Sequence, residues 1–283
     1  MKPQILFRVL TLLVASGLVS LFTPALSAQS ASSYVTSGLE KARQGDYDGA
    51  IADYTKALEL NSSYIGAYVN RGMAKANQGN DSGAVADYTE AIKMKPGFTD
   101  AYLHRGHAEF LQGNFDNAIA DYSKVIELKP DSQLAYFRRG LARDCQTNVG
   151  GASEDYAKAL EMKSTSDDTA SYLVLFNALL GRRLGKENDQ RLKATSGWSS
   201  EWTKLLAMFL NDQISETDLM NRAGAAAGDD QSRQQGEAYY FSGVLHLIAG
   251  NKASARANFQ KAFDSTGPTA LVHRLSRTEL DHP

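Results

Sequence analysis

The chain repeats itself every 34 residues. Gly38, Gly72, Gly106 and Gly140 keep that step, as do Ala50, Ala84, Ala118 and Ala152, and Tyr54, Tyr88, Tyr122 and Tyr156. A fixed period of this length describes stacked supersecondary units, each burying its apolar face against the next, rather than one closed core. Four units follow from the spacing: 31–64, 65–98, 99–132 and 133–166.

Each unit carries two apolar patterns of helical period with a break between them. The breaks read Gln44-Gly45-Asp46, Gln78-Gly79-Asn80 and Gln112-Gly113-Asn114. Glycine supplies the left-handed residue that stops one helix, and Asp or Asn caps the next. Pro96 and Pro130 close units two and three, where a helix has to end. Gly72, Gly106 and Gly140 fall inside first helices, where Gly costs about 1 kcal/mol relative to Ala. That cost is tolerated where another element approaches closely. Ala84 and Ala118 are expected to face these glycines, with the tyrosines filling the wider gap near the next unit.

This pattern of small and large residues resembles the tetratricopeptide repeat. In unit two it rests on Tyr68, Gly72, Gly79, Ala84, Tyr88, Ala91 and Pro96. The resemblance implies an all-α, right-handed superhelical solenoid of antiparallel helix pairs, with the first helices on the concave face. One departure is that Arg71, Arg105 and Arg139 stand where the family usually has Leu. Asp53, Asp87 and Asp121 recur with the same step, so a ladder Asp53–Arg71, Asp87–Arg105 and Asp121–Arg139 is expected between consecutive units. Such pairs specify register more surely than they add stability.

The period blurs after 166. Two degenerate units fit between it and the next clear one: Tyr172, Leu175 and Leu179 suit a first helix, and Trp202, Leu205, Leu206 and Phe209 another. Gly224, Gly228 and Asp229-Asp230 suggest a loop. The period returns over 236–269 through Tyr239, Gly243, Gly250, Asn251, Ala255, Phe259 and Ala262. Leu271, Val272 and Leu275 then read as a final amphipathic helix covering the open face, within a cap and tail over 270–283. Phe209 to Met220, with Trp202 before it and Glu237 to Phe241 after it, resembles the C-terminal half of the NlpI family of bacterial envelope lipoproteins. That resemblance implies a homodimeric adaptor bringing envelope proteases or cell-wall enzymes to their targets. The lipid-attachment Cys of that family has no counterpart here.

Residues 1–28 differ in kind. Lys2 and Arg8 precede an apolar stretch from Val9 to Phe22, followed by Pro24 and small residues to Ala28. This is the layout of a secretory signal peptide, too short and interrupted for a membrane span of about 20 apolar residues. The expected location is periplasmic or secreted, with no membrane span after cleavage; an uncleaved anchor is the alternative. The 283 residues carry 30 basic and 32 acidic side chains, a formal charge of −2, which gives no reason to expect nucleic acid as a partner. A lone cysteine, Cys145, excludes an internal disulfide.

The sequence offers little for chemistry. His104 and His107 share a helical face, but a third metal ligand at suitable spacing is missing, since Glu109 points elsewhere. Nothing near Cys145 completes a nucleophilic site, and no phosphate loop occurs. No metal, cofactor or catalytic residue is expected. By the family's pattern the concave groove is lined by Val69, Met73, Leu103, His107, Phe110, Phe137 and Leu141. Val35, Leu39 and Val69 stand where some members clamp a terminal carboxylate with polar side chains, so an apolar helix or extended segment of another protein is the expected ligand. Alternatives are a groove filled by the chain's own terminal helix or a second copy, as in a self-assembling dimer, and a small-ligand binder or enzyme using 167–235, where Trp198 and Trp202 cluster.

Overall fold

The computed structural model describes residues 30–162, 167–186, 190–193, 195–267 and 270–281. The expected signal segment lies outside them. Among the described residues the secondary structure is helical throughout. Eight helices make the four regular units: α1 (Ala31–Arg43), α2 (Tyr47–Leu60), α3 (Ile65–Asn77), α4 (Asp81–Met94), α5 (Thr99–Gln112), α6 (Phe115–Leu128), α7 (Gln133–Cys145) and α8 (Val149–Glu161). Consecutive helices pack as hairpins, and each second helix packs on the next unit's first helix. The first helices α1, α3, α5 and α7 also touch one another and so form one continuous face. The architecture is an all-α repeat solenoid.

The breaks work as the sequence implies. Gly45, Gly79 and Gly113 are left-handed, with φ of 80°, 76° and 84°. Asp46 and Asn80 cap the following helices by accepting from Gly49 N at 2.9 Å and Gly83 N at 3.0 Å. Unit four places Thr147 at the same left-handed position, with φ 59°. A branched side chain there is strained. Thr147→Gly is therefore expected to stabilise the chain by about 1 kcal/mol, read as a higher urea midpoint; an unchanged midpoint contradicts the argument.

The helix glycines face different partners from those expected. The ring edges of Tyr54, Tyr88, Tyr122 and Tyr156, from the second helix of the same unit, press on Gly38, Gly72, Gly106 and Gly140. A Cβ at Gly140 would lie 2.5 Å from Tyr156 Cε1. The tyrosines thus lie inside each hairpin, fully buried, rather than in a gap toward the next unit.

The ladder exists in another register. Arg71 donates to both carboxylate oxygens of Asp87, at 3.0 and 2.7 Å, within its own unit. Arg105 grips Asp121 and Arg139 grips Asp155 in the same way. The link between units is the remaining guanidinium nitrogen. Nη1 of Arg71, Arg105 and Arg139 donates to Thr55, Thr89 and Ser123 of the preceding unit, at 3.1, 3.1 and 3.0 Å. Each arginine also lies over the tyrosine three residues before it, 5.4–5.6 Å from the ring centre. Each rung therefore ties three helices by one planar fork. The first rung has no arginine: Asp53 is held by Ser37 at 2.6 Å and Lys41 at 2.7 Å.

The regular pattern then changes. α9 (Asp167–Arg183) is followed by two short 3-10 turns, Gln190–Lys193 and Thr195–Gly197, then by α10 (Glu201–Leu210) and α11 (Glu216–Gly224). α12 (Asp229–Ile248) and α13 (Lys252–Ser265) form the last long hairpin. Asp229 and Asp230 stand in the first turn of α12 rather than in a loop, where their charge complements the helix dipole. Likewise Asp167 opens α9. α14 (Leu271–Asp281) does not extend the stack. It turns back and lies against the face formed by the first helices, where Arg274 Nε donates to the Leu111 carbonyl at 2.7 Å. Arg183 of α9 pairs with Asp144 of α7 and with Glu279 of α14, tying three elements together.

In the last hairpin, Ser242 and Asn258 stand at the ladder positions of Arg and Asp. The missing charge comes from α11. The Glu216 carboxylate accepts from Ser242 at 2.6 Å and from Asn258 at 3.2 Å, and its second oxygen meets His246 Nε2 at 3.1 Å. Burial opposes ionisation of Glu216, but these hydrogen bonds hold its carboxyl below the usual range. α11 is thus docked on the last hairpin by a rung built from a different set of residues.

Candidate functional site

The face of the first helices is divided in two by α14. Over units one and two it is open. Leu39 and Met73, one period apart on this face, are 37% and 40% exposed. Val69 beside them is buried in the unit-two core, and Leu103 is half-buried at the boundary. Beyond that boundary the equivalent positions are covered. Phe110, Phe137 and Leu141 are buried, and His107 is half-buried. The seven residues expected to line one groove therefore belong to two places: Val69, Met73 and Leu103 to the open stretch, the other four to an enclosed chamber.

The chamber has a volume of about 680 Å³. α5 contributes His107 and Phe110, and α7 contributes Phe137, Arg138 and Leu141. The opposite wall is Tyr172 and Phe176 of α9, Thr203 of α10, Arg233, Glu237 and Phe241 of α12, and Leu271 and Val272 of α14. Rings make a nearly continuous apolar surface: Phe137–Phe176 is 5.9 Å between centroids and Phe176–Phe241 is 5.7 Å. A polar cluster stands at one side. Glu237 accepts from Trp202 Nε1 at 2.6 Å and from the Tyr172 hydroxyl at 2.9 Å, and Arg233 lies 3.5 Å away. Burial pushes the Glu237 carboxyl up, against these partners. Trp202 is thus a core residue with its N–H satisfied.

His104 and His107 do not form a metal site. His104 stacks on Tyr88 at 5.7 Å, and among the described residues no group of three His, Cys, Asp or Glu side chains converges. Glu109, on the same helix, is occupied by Asn114 Nδ2 at 2.7 Å. Burial, and then the charge of Arg138, lowers His107 to about 3, so it is neutral at pH 7. Its folded value lies below the unfolded value near 6.5. Unfolding therefore takes up a proton below pH 6.5, and the contribution present above that pH is lost as the pH falls toward 3. The slope is up to about 1.4 kcal/mol per pH unit. His107→Gln is expected to shrink the loss of stability between pH 7 and pH 5, read from urea midpoints; an equal loss in both proteins contradicts this assignment. Cys145 is buried, and burial pushes its thiol up, which keeps it protonated and unreactive.

The sequence reading missed the chamber and the docking of α14. Both depend on contacts between residues far apart in the chain, such as Leu111 with Arg274 and Tyr172 with Glu237. One signal was present: Ser242 and Asn258 keep the ladder positions with both charges removed, which announces an outside carboxylate. No helix among the described residues is long and apolar enough to cross a membrane.

Comparison with known proteins agrees with this architecture. The family description "TPR repeat" matches residues 38–79 and 106–143, and "Tetratricopeptide repeat" matches 65–98. No curated protein matches the chain. A tetratricopeptide repeat protein from Parabacteroides merdae superposes with a TM-score of 0.59 at 18% identity, over 89% of this chain and 99% of that one. MamA from Desulfovibrio magneticus RS-1 superposes with a TM-score of 0.52 at 19% identity, over 65% of this chain and 97% of that one. At such identities the likeness is one of fold, and a fold of this kind is typically a non-enzymatic interaction scaffold. The first superposition extends the likeness of fold through the irregular part; the family matches fall on the helices that carry the 34-residue period, and over residues 38–98 and 106–143 the chain is built of tetratricopeptide repeats.

Proposed function

We propose that the chain is a protein–protein interaction scaffold that holds an amphipathic helix of a partner on the open face of units one and two. The observation that carries this reading is the exposed pair Leu39 and Met73, in line with a surface that α14 already occupies over units three and four. α14 is a template for the partner. It buries Val272 and Leu275, and it uses Arg274 to satisfy a carbonyl at the end of α5. A second helix continuing that line would meet the same chemistry at Leu39 and Met73.

The setting we propose is the bacterial cell envelope, periplasmic or secreted, supported by the signal-like composition of residues 1–28. Envelope proteases and cell-wall enzymes are the partners to try first, on the resemblance of 202–241 to the NlpI family. The test is affinity capture of the purified chain against an envelope extract, with Leu39→Asp/Met73→Asp as control. Both side chains are exposed, so circular dichroism should not change. The expected result is loss of specific partners from the double variant. Recovery of the same proteins by both forms overturns the assignment. Phe110 and Phe137 are unsuited to this test because they are core residues. N-terminal sequencing of the protein isolated from cells tests the setting: a mature chain starting near residue 29 is expected.

A further inference from the structure

We propose that the chamber between units three and four and the returned C-terminal third binds a small organic carboxylate with an apolar body, its head on Arg138 and its body on the phenylalanine wall. This site is separate from the open face of units one and two.

Three observations lead there. The first is size. About 680 Å³ lies within the range of pockets that enclose small molecules, roughly 300–1,000 Å³, and is far more than imperfect packing leaves in a solenoid. The second is shape of polarity. One side is aromatic, through Phe137, Phe176 and Phe241, and the other holds fixed polar groups. The third is charge. Glu237 and Arg233 face the chamber together, and Arg233 also pairs with Asp230 at 2.8 Å, so that cluster is internally compensated. Arg138 also lines the chamber, and among the described residues no carboxylate lies in salt-bridge reach of it. Its described neighbours are the Tyr122 hydroxyl and His107, which is neutral. Among the described residues, Arg138 is therefore a positive charge without a paired carboxylate, set beside an apolar surface. A guanidinium so placed lacks the acceptor that its planar fork fits best, a carboxylate. An apolar cation would meet repulsion, and a neutral hydrocarbon would leave the guanidinium unpaired.

The repeat shows that this arginine is not a ladder residue. Arg139, its neighbour in sequence, makes the rung with Asp155, whereas Arg138 points to the chamber. Unit three has His104 at the equivalent place and unit two has Asn70, so Arg138 is particular to the chamber.

The probes are decanoate and, as its uncharged counterpart, 1-decanol, titrated into the full chain and followed by calorimetry. Trp202 fluorescence gives a second readout, because its N–H is bonded to Glu237 on the chamber wall. Saturable one-to-one binding of decanoate is expected. Arg138→Met should weaken decanoate by about tenfold or more and change 1-decanol by less than about twofold. Arg138→Lys, which keeps the charge but not the planar fork, should bind decanoate more weakly than the native chain and more tightly than Arg138→Met. Leu271→Trp, which narrows the chamber, should weaken both ligands. Near-UV circular dichroism qualifies each variant, and Arg138→Gln replaces Arg138→Met if the latter does not fold. The proposal is overturned by any of three results: no saturable decanoate binding, equal weakening of acid and alcohol in the Arg138 variant, or undiminished binding in Leu271→Trp.

Discussion

Replacing Asp155 with alanine lowers the unfolding free energy by about 3–5 kcal/mol, the range for breaking a buried ion pair by removing one partner. Asp155 has a side chain only 2% exposed and is held from two sides. Arg139 donates at 3.0 and 2.7 Å, and Arg143 donates at 2.9 Å. Alanine there leaves two guanidinium groups, 15% and 23% exposed, with only the Ser123 hydroxyl and the Gly151 carbonyl as hydrogen-bond partners. The Ser123 hydroxyl that joins units three and four loses the geometry that Asp155 imposes on Arg139. Asp53→Ala is the matched control at the other end of the ladder. Its partners are Ser37 and a Lys41 side chain 37% exposed, which water can resolvate. That variant is expected to lose about 1 kcal/mol. Urea unfolding of the two variants beside the native chain measures the difference. Equal losses would mean that the number of partners and their burial do not govern the rungs.

The contrast also shows why the ladder could not be placed from sequence. A 34-residue period assigns the same step to every Asp and every Arg, so pairing within a unit and pairing across units satisfy it equally well. What decides is the geometry of an antiparallel hairpin, which sets Arg71 against Asp87 and leaves one guanidinium nitrogen for Thr55. The helices, their glycine turns and their caps were legible because each depends on neighbours within a few residues. The tyrosine–glycine contacts were legible as a pattern but not as a pairing. The functional face was legible only where the period holds. Val69 and Met73 follow from the repeat, whereas the enclosure of His107, Phe110, Phe137 and Leu141 depends on α9, α12 and α14, which lie beyond the four regular units. Those helices find their places through an apolar core that joins Phe137 and Leu141 to Phe176, Phe241 and Val272, together with contacts such as Arg183 with Glu279, and no spacing in the chain encodes that meeting.

Leu275→Asp detaches α14 without unfolding the solenoid. Leu275 is buried on the α14 surface that meets the body of the protein. A carboxylate there enters a pocket whose one arginine, Arg183, is already shared by Asp144 and Glu279, and a buried charge left without its own partner costs several kcal/mol. The chain can avoid that cost locally. α14 packs mainly on α13 and α12, outside the four regular units, so its release leaves every hairpin of those units intact. Opening of such a segment requires less than global unfolding. Amide exchange over 271–281 is therefore expected to accelerate by about a hundredfold or more, equivalent to about 2.7 kcal/mol. Exchange in α1 to α4 should stay as slow as in the native chain. Equal acceleration everywhere would mean that α14 belongs to one cooperative unit with the repeats. With α14 released, the side of the chamber that Leu271 and Val272 close lies open beside the face of units one and two, and an apolar dye should bind there more than to the native chain. The variant then separates the two roles of the concave face. A partner that needs only units one and two binds as before, because Leu39 and Met73 are untouched. A partner that also reaches the opened side binds more tightly, because it no longer competes with the chain's own helix.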